Sequence, residues 1–216
     1  SKYDTVQHHH HPDATKSGRH CVECHMPETT YMVVDARRDH SIRIPRPDLT
    51  VSLGIPNACN LCHQDPEKGE TAEWAAAWIE KWYPPRKQPA HFAYAFDKGR
   101  KSDLTAVVDL LAVFRRQDVA PIVRASAVLL LANYGEDAAR GAVFAAAQDA
   151  EPLVRLAAAR ALQAIPPNAA DLPRVQNLLN DPIRAVRVEA VPWALPVSPA
   201  GFTGSLREAF LKSLEE

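Results

Sequence analysis

No apolar run in the chain approaches the eighteen or more residues of a membrane-spanning helix, so no membrane span is expected. Charge of one sign is also missing. There are 25 Lys and Arg against 26 Asp and Glu, a formal net charge of -1, and the electrostatic footprint of a nucleic-acid binder is absent. No signal peptide is visible at the polar start. Methionine is reduced to Met26 and Met32. The four cysteines all fall in two Cys-x-x-Cys pairs, which leaves none for a disulfide framework.

What is present is unevenly spread. The first seventy residues are polar and rich in His, Pro and Arg, whereas the later part is rich in Ala, Leu and Val. A sizeable core is expected only in the later part. Residues 1–20 show no periodicity and read as an extended or loop segment carrying the run His8, His9, His10 and His11. In residues 26–58, Pro45, Pro47 and Pro56 argue against regular helix, and Tyr31 to Val34 reads as one short strand. Asp65-Pro66-Glu67 has helix-start character, and Thr71 to Tyr83 carries Trp74, Trp78, Ile79 and Trp82 at helical spacing before Pro84-Pro85. That stripe suits either a haem face or ordinary core packing.

The two pentapeptides Cys21-Val-Glu-Cys24-His25 and Cys59-Asn-Leu-Cys62-His63 have the form C-x-x-C-H, the attachment signature of c-type haem. Two thiols at this spacing form thioethers with the haem vinyl groups, and the next histidine falls beneath the iron. Cys21, Cys24, Cys59 and Cys62 are therefore the expected thioether positions. His25 and His63 are the expected proximal ligands of two haem c groups. Two C-x-x-C pairs can also bind one zinc ion. A zinc ribbon, however, does not require a histidine after both pairs and does not account for the other histidines. Covalent haem attachment implies an exported protein, periplasmic or extracellular, whose precursor carried a signal.

The sixth iron position separates electron transfer from catalysis, because a second strong ligand blocks small molecules. Met26 is adjacent to a proximal histidine and cannot easily reach the opposite face of the same haem. His8, His9, His10, His11, His20, His40 and His91 remain unassigned, more than enough for bis-histidine ligation of both irons. Arg37, Arg38, Arg43 and Arg46 form the most basic stretch. They read as partners for haem propionates, whose geometry suits a planar guanidinium fork, against the plain alternative of a solvated loop.

From Asp103 onward the chain repeats itself. Asp118-Val-Ala-Pro121-Ile-Val-Arg124, Asp149-Ala-Glu-Pro152-Leu-Val-Arg155 and Asp181-Pro-Ile-Arg-Ala-Val-Arg187 keep Asp and Arg six apart. The arginines recur after 31 and then 32 residues (155 − 124 and 187 − 155). A fixed period with helical apolar spacing predicts a solenoid of antiparallel helix pairs. In it the Pro opens the second helix of a pair, and Asp and Arg bond between neighbouring copies. Ser205 to Leu214 reads as a closing helix. The D-x-x-P-x-V-R-x-x-A pattern resembles the short HEAT-like repeats of phycocyanobilin-lyase-type proteins.

A second resemblance lies in Cys21 to His63. C-x-x-C-H-M-P, then Y-x-x-x-D with Arg37-Arg-Asp-His40-Ser, then the second C-x-x-C-H, is similar to the paired-haem segment of multihaem cytochromes related to cytochrome c-554 and pentahaem nitrite reductase. It is closer still to bacterial cytochromes that carry this segment ahead of helical repeats. In the nitrite reductases a histidine shortly before the first motif ligates the haem of the following one. The resemblance thus implies that the His8–His11 run, with His10 or His11 in first place, serves the Cys59/Cys62 haem. The histidine matching His40 serves an upstream haem there, and this chain shows no upstream motif. His40 then serves the first haem, serves a haem of a neighbouring chain, or is structural, and His91 is the other candidate.

The expected fold class is all-α: a loop-rich dihaem cytochrome c module with an N-terminal histidine arm over residues 1–98, followed by a short HEAT-like α-helical solenoid over 99–216. The expected function is electron transfer through bis-His haems with redox protein partners, not an enzyme. Self-association into an extracellular filament, with haem ligation shared between subunits, extends that reading. The alternatives are a haem reductase of nitrogen compounds and a partner-binding scaffold in a redox complex.

Overall fold

The computed structural model describes residues 2–13, 15–84, 90–197 and Leu211. The chain forms two compact units, Ser1–Pro89 and Ala90–Glu216. The division comes nine residues before the expected boundary at 98. The helix Phe92–Arg100 belongs to the second unit because Ala95 and Phe96 enter one apolar cluster with Leu110 and Leu131.

The first unit runs through α1 (Val6–His9), α2 (Cys21–His25), β1 (Glu28–Tyr31), β2 (Asp35–Arg38), α3 (Pro47–Leu53), a 3-10 turn (Cys59–Leu61) and α4 (Ala72–Trp82). The expectation of an all-α chain is corrected by one antiparallel hairpin, β1–β2. Tyr31 to Val34 is not a strand but the end of β1 and its turn, with Met32 and Val33 at φ of 51° and 72°. The strands form on either side because Glu28 lies opposite Arg38 and pairs with it at 3.0 Å, and opposite charges across a ladder stabilise the register. The arm before Cys21 contains a turn of helix rather than extended chain throughout.

Pro47 does not exclude helix; it occupies the first turn of α3, where its missing N–H leaves no bond unmade. Gly54, at φ 70°, ends that helix in the left-handed region. The helix after the second motif begins at Thr71, whose hydroxyl accepts from Trp74 N–H at 3.2 Å, and not at Asp65-Pro66-Glu67. The latter residues form a turn. Apolar burial here is sparse: Pro47, Leu49 and Ala75 are the buried apolar side chains among the described residues of this unit.

The elements of the second unit are all helical among its described residues: α5 (Phe92–Arg100), α6 (Ala106–Arg115), α7 (Pro121–Leu131), α8 (Asp137–Ala146), α9 (Pro152–Ala161), α10 (Leu172–Leu179) and α11 (Arg184–Ala194), with 3-10 turns at Leu162–Ala164 and Ala169–Asp171. Pro121 and Pro152 stand at the first position of α7 and α9, as expected from the repeat. Leu131, Val143, Val154, Leu162 and Leu178 are fully buried, so each helix pair closes the apolar face of the next. The expected helix from Ser205 to Leu214 lies outside the described residues, Leu211 excepted.

Aspartate and arginine link successive copies. Arg124 Nη2 donates to Asp149 Oδ2 of the next copy. Arg155 Nε lies 2.5 Å from Asp181 Oδ2 and its Nη2 3.2 Å from Oδ1. Arg155 also donates backward to the carbonyls of Asp149 and Ala150 at 2.9 and 2.8 Å. Arg124 and Asp181 are buried, and only this mutual satisfaction makes buried charge tolerable. Burial alone would raise the Asp181 carboxyl. The Arg155 hydrogen bonds, the Ile183 N–H and the Arg155 and Arg187 charges outweigh burial and hold it below its ordinary 3.8.

Replacing Asp181 with Ala strands the Arg155 charge. The variant is expected to lose about 3–5 kcal/mol of stability in denaturant unfolding of the repeat unit. A carboxyl whose pKa is depressed by folding stabilises above its unfolded value and loses that contribution as pH falls through the folded one. Stability of the repeats should therefore decline on acidification below about pH 3.8. Asp181→Asn should show a shallower decline than wild type.

Candidate haem-binding site

Each C-x-x-C-H pentapeptide forms one short helical segment. Cys21 to His25 is α2, and the 3-10 turn Cys59–Leu61 runs into Cys62 and His63. Glu23 secures the loop before the first motif by accepting from Gly18 N–H at 2.8 Å and His20 N–H at 2.9 Å. Arg38 reaches from the hairpin to the carbonyls of Val22 and Met26, both at 3.3 Å, which satisfies acceptors at the end of α2. In the second motif Asn57 and Asn60 tie the turn together: Asn57 Oδ1 accepts from Asn60 N–H at 3.1 Å, and Asn60 Nδ2 donates to the His63 carbonyl at 3.0 Å.

The thiols of Cys24 and Cys59 are half-buried, and those of Cys21 and Cys62 are exposed. Burial pushes the Cys24 thiol up to about 11, with the neighbouring Cys59, Glu23, Cys62 and Cys21 acting in the same direction. Burial also raises Cys59. The two motifs thus lie close to each other, yet among the described residues no three His, Cys, Asp or Glu side chains gather as a metal cage.

The imidazoles are arranged more specifically. His25 Nδ1 donates to the Arg43 carbonyl at 2.7 Å. His63 Nδ1 lies 3.2 Å from Glu70 Oε1. His11 Nδ1 donates to the His9 carbonyl. Tyr83 gives its hydroxyl proton to the His8 carbonyl, and its oxygen lies 3.3 Å from His8 Nδ1. An acceptor at Nδ1 keeps the proton there and leaves Nε2 with a lone pair, the outer-shell arrangement that prepares imidazole for a metal. His25, His63, His8 and His11 share this arrangement at Nδ1.

They also face each other in pairs. The His8 and His25 rings are nearly parallel, 11° apart, with centroids separated by 6.1 Å. His11 and His63 are separated by 5.9 Å at 44°. A metal–imidazole bond is about 2.0–2.1 Å and the centroid lies about 1.1 Å behind the nitrogen, so two imidazoles on one metal have centroids about 6.2 Å apart. Both pairs match that spacing, and in each the ring belonging to C-x-x-C-H is opposed by a ring of the arm. The ring separations are compatible with a metal between each pair.

Other expected ligands lie elsewhere. His10 is not opposite His63; it stacks on Trp82 with centroids 3.8 Å apart and planes 7° apart. His9 accepts from His11 N–H through Nδ1 at 3.1 Å. His40 is exposed beside Asp39, and no ring contact joins it to His25 or His63 among the described residues. His91 belongs to the second unit, where it caps α5 by accepting from Ala93 N–H at 3.2 Å. The arginines expected at propionates are paired with protein acids: Arg37 with Asp35, Arg38 with Glu28, Arg43 with Asp39 and Arg46 with Asp48.

Sequence reasoning missed Tyr83, Glu70 and Gly18. Tyr83 and Glu70 reach the site through folding and carry no local signal. Gly18, at φ 98°, packs against His11: a Cβ there would lie 2.5 Å from Cδ2 and 2.6 Å from Nε2 of that ring. The half-buried tryptophans of α4 continue the site, with Trp74 4.9 Å from His63 and Trp78 5.2 Å from Trp82. Gly18→Ala is expected to push the His11 ring away from His63 while leaving the His8–His25 pair in place, which a crystal structure of the variant would show directly.

Comparison with known proteins gives a match to one part of the chain: residues 107–195 match the family model of HEAT repeats. No curated protein and no solved structure matches the chain. The matched residues lie wholly in the second unit.

Proposed function

We propose that the chain is an exported dihaem c-type cytochrome that transfers electrons, with HEAT repeats as its scaffold or docking surface. Cys21 and Cys24 would hold one haem and Cys59 and Cys62 the other, through thioethers. The observation that carries the reading is the pair of opposed rings, His8 with His25 and His11 with His63, at the spacing of imidazoles on a shared metal. Bound haem iron supplies one-electron redox chemistry. The chain's own residues would hold the imidazoles on each side of the site through their Nδ1 partners.

This reading fills both axial positions within one chain. It favours electron transfer over reduction of nitrogen compounds, which needs an open iron site. It needs no histidine from a neighbouring subunit, so a filament of such chains would assemble without shared ligation. Redox proteins remain the proposed partners. The sparse core of the first unit adds independent support. A unit of this size that buries so little apolar surface needs a staple or cofactor to hold it together. Propionates would meet Arg37, Arg38, Arg43 and Arg46 as second anions on forks already oriented by acids.

The test is covalent loading in an exporting host. Mass spectrometry of the intact protein should give the chain plus two haems, and Cys21→Ala and Cys59→Ala should each weaken attachment at one site. The reduced wild-type protein should show low-spin spectra that carbon monoxide leaves nearly unchanged. Zinc in place of haem would overturn the proposal, as would strong carbon monoxide binding by the wild type.

A further inference from the structure

The arm that carries His8 and His11 has little to hold it. α1 is one turn of four residues with no buried side chain. A helix this short has no stability of its own, because nucleation is costly and only a few bonds follow. His10 comes next at φ 56°, a left-handed conformation that costs a non-glycine residue energy and persists only when its surroundings impose it. That conformation ends the turn between the two ligands and lets His8 and His11 address different partners, His25 and His63.

The surroundings that impose it are the last residues of α4 and the one after it. The His10 ring lies flat on Trp82, 3.8 Å between centroids. Tyr83 meets His10 edge-on at 6.1 Å and 77°, and bonds both the carbonyl and Nδ1 of His8. Trp82 is itself braced by Trp78 at 5.2 Å, over which Lys81 Nζ sits at 4.3 Å. The helix end therefore holds the arm at the residue between the two ligands and at one of the ligands themselves.

We propose that His10 and Trp82, with Tyr83, form a single clamp that positions the distal ligands of both irons, so that the two axial sites are lost or kept together. The proposal rests on the dihaem reading given above. His10, Trp82 and Tyr83 are positioning residues and touch no iron. Without the clamp, ligands three residues apart on an unsupported arm would act independently. With it, one remote contact controls both.

The test uses the full-length, haem-loaded protein and reads covalent haem by mass, spin state by electron paramagnetic resonance, and carbon monoxide bound per chain. His8→Ala and His11→Ala calibrate the loss of one ligand, each opening one iron and binding about one carbon monoxide per chain. His10→Ala and Trp82→Ala are expected to open both irons and bind about two per chain, with haem content unchanged. Trp82→Phe, which keeps a stacking face, should restore the low-spin state. Should Trp82→Ala fail to accumulate, His10→Ala decides alone, since α1 and its cap contribute no buried residue to a core. Two low-spin irons in His10→Ala, or only one opened, overturn the clamp while leaving the dihaem reading intact. A wild-type chain without covalent haem overturns that reading and the clamp with it.

Discussion

Imidazole has two nitrogens, and what bonds one of them decides what the other can do. His25, His63, His8 and His11 each direct Nδ1 to an oxygen: the Arg43 carbonyl, the Glu70 carboxylate, the Tyr83 hydroxyl and the His9 carbonyl. These contacts fix the rings, and His8 with His25 and His11 with His63 come within 6.1 and 5.9 Å of each other, centroid to centroid. Much of the first unit serves them. The loop after β2 brings Arg43, the turn after the second motif brings Glu70, and the end of α4 brings Tyr83. Elements that look irregular in isolation are the supports of those oxygens.

That organisation explains why so polar a unit can be ordered. Pro47, Leu49 and Ala75 are the buried apolar side chains of its described residues. Two covalently held cofactors with large apolar faces would supply the missing interior and tie distant segments together. The half-buried tryptophans of α4 and the stacked His10 would then form the wall of such an interior.

The second unit solves the same problem in the ordinary way. Ala, Val and Leu at helical spacing interlock between helix pairs. The Arg124–Asp149 and Arg155–Asp181 contacts fix the stagger of one copy on the next, because a buried guanidinium accepts few positions once its acceptors are set. Arg124 also donates to the Phe114 carbonyl at the end of α6, and Arg155 to the Asp149 and Ala150 carbonyls, so its link between copies doubles as a brace for the loop before its own helix.

The sequence by itself determined what depends on residue spacing: the two C-x-x-C-H motifs, the tryptophan stripe and the period of 31 to 32 residues with its Asp–Arg linkage. Local proline rules misread α3, where Pro47 begins a helix instead of preventing one, and they placed a strand on the turn at Met32 and Val33. Resemblance pointed to the histidine arm but favoured His10 or His11 for the second site and passed over His8 for the first. Only the tertiary structure gives the four consecutive histidines different neighbours. Their chemistry is identical, and their difference lies in one left-handed residue, one stacking tryptophan and a tyrosine seventy-five positions away from His8. A motif fixes ligands that are adjacent in the chain. A ligand on the opposite side of the same metal is chosen by the path the backbone takes to reach it.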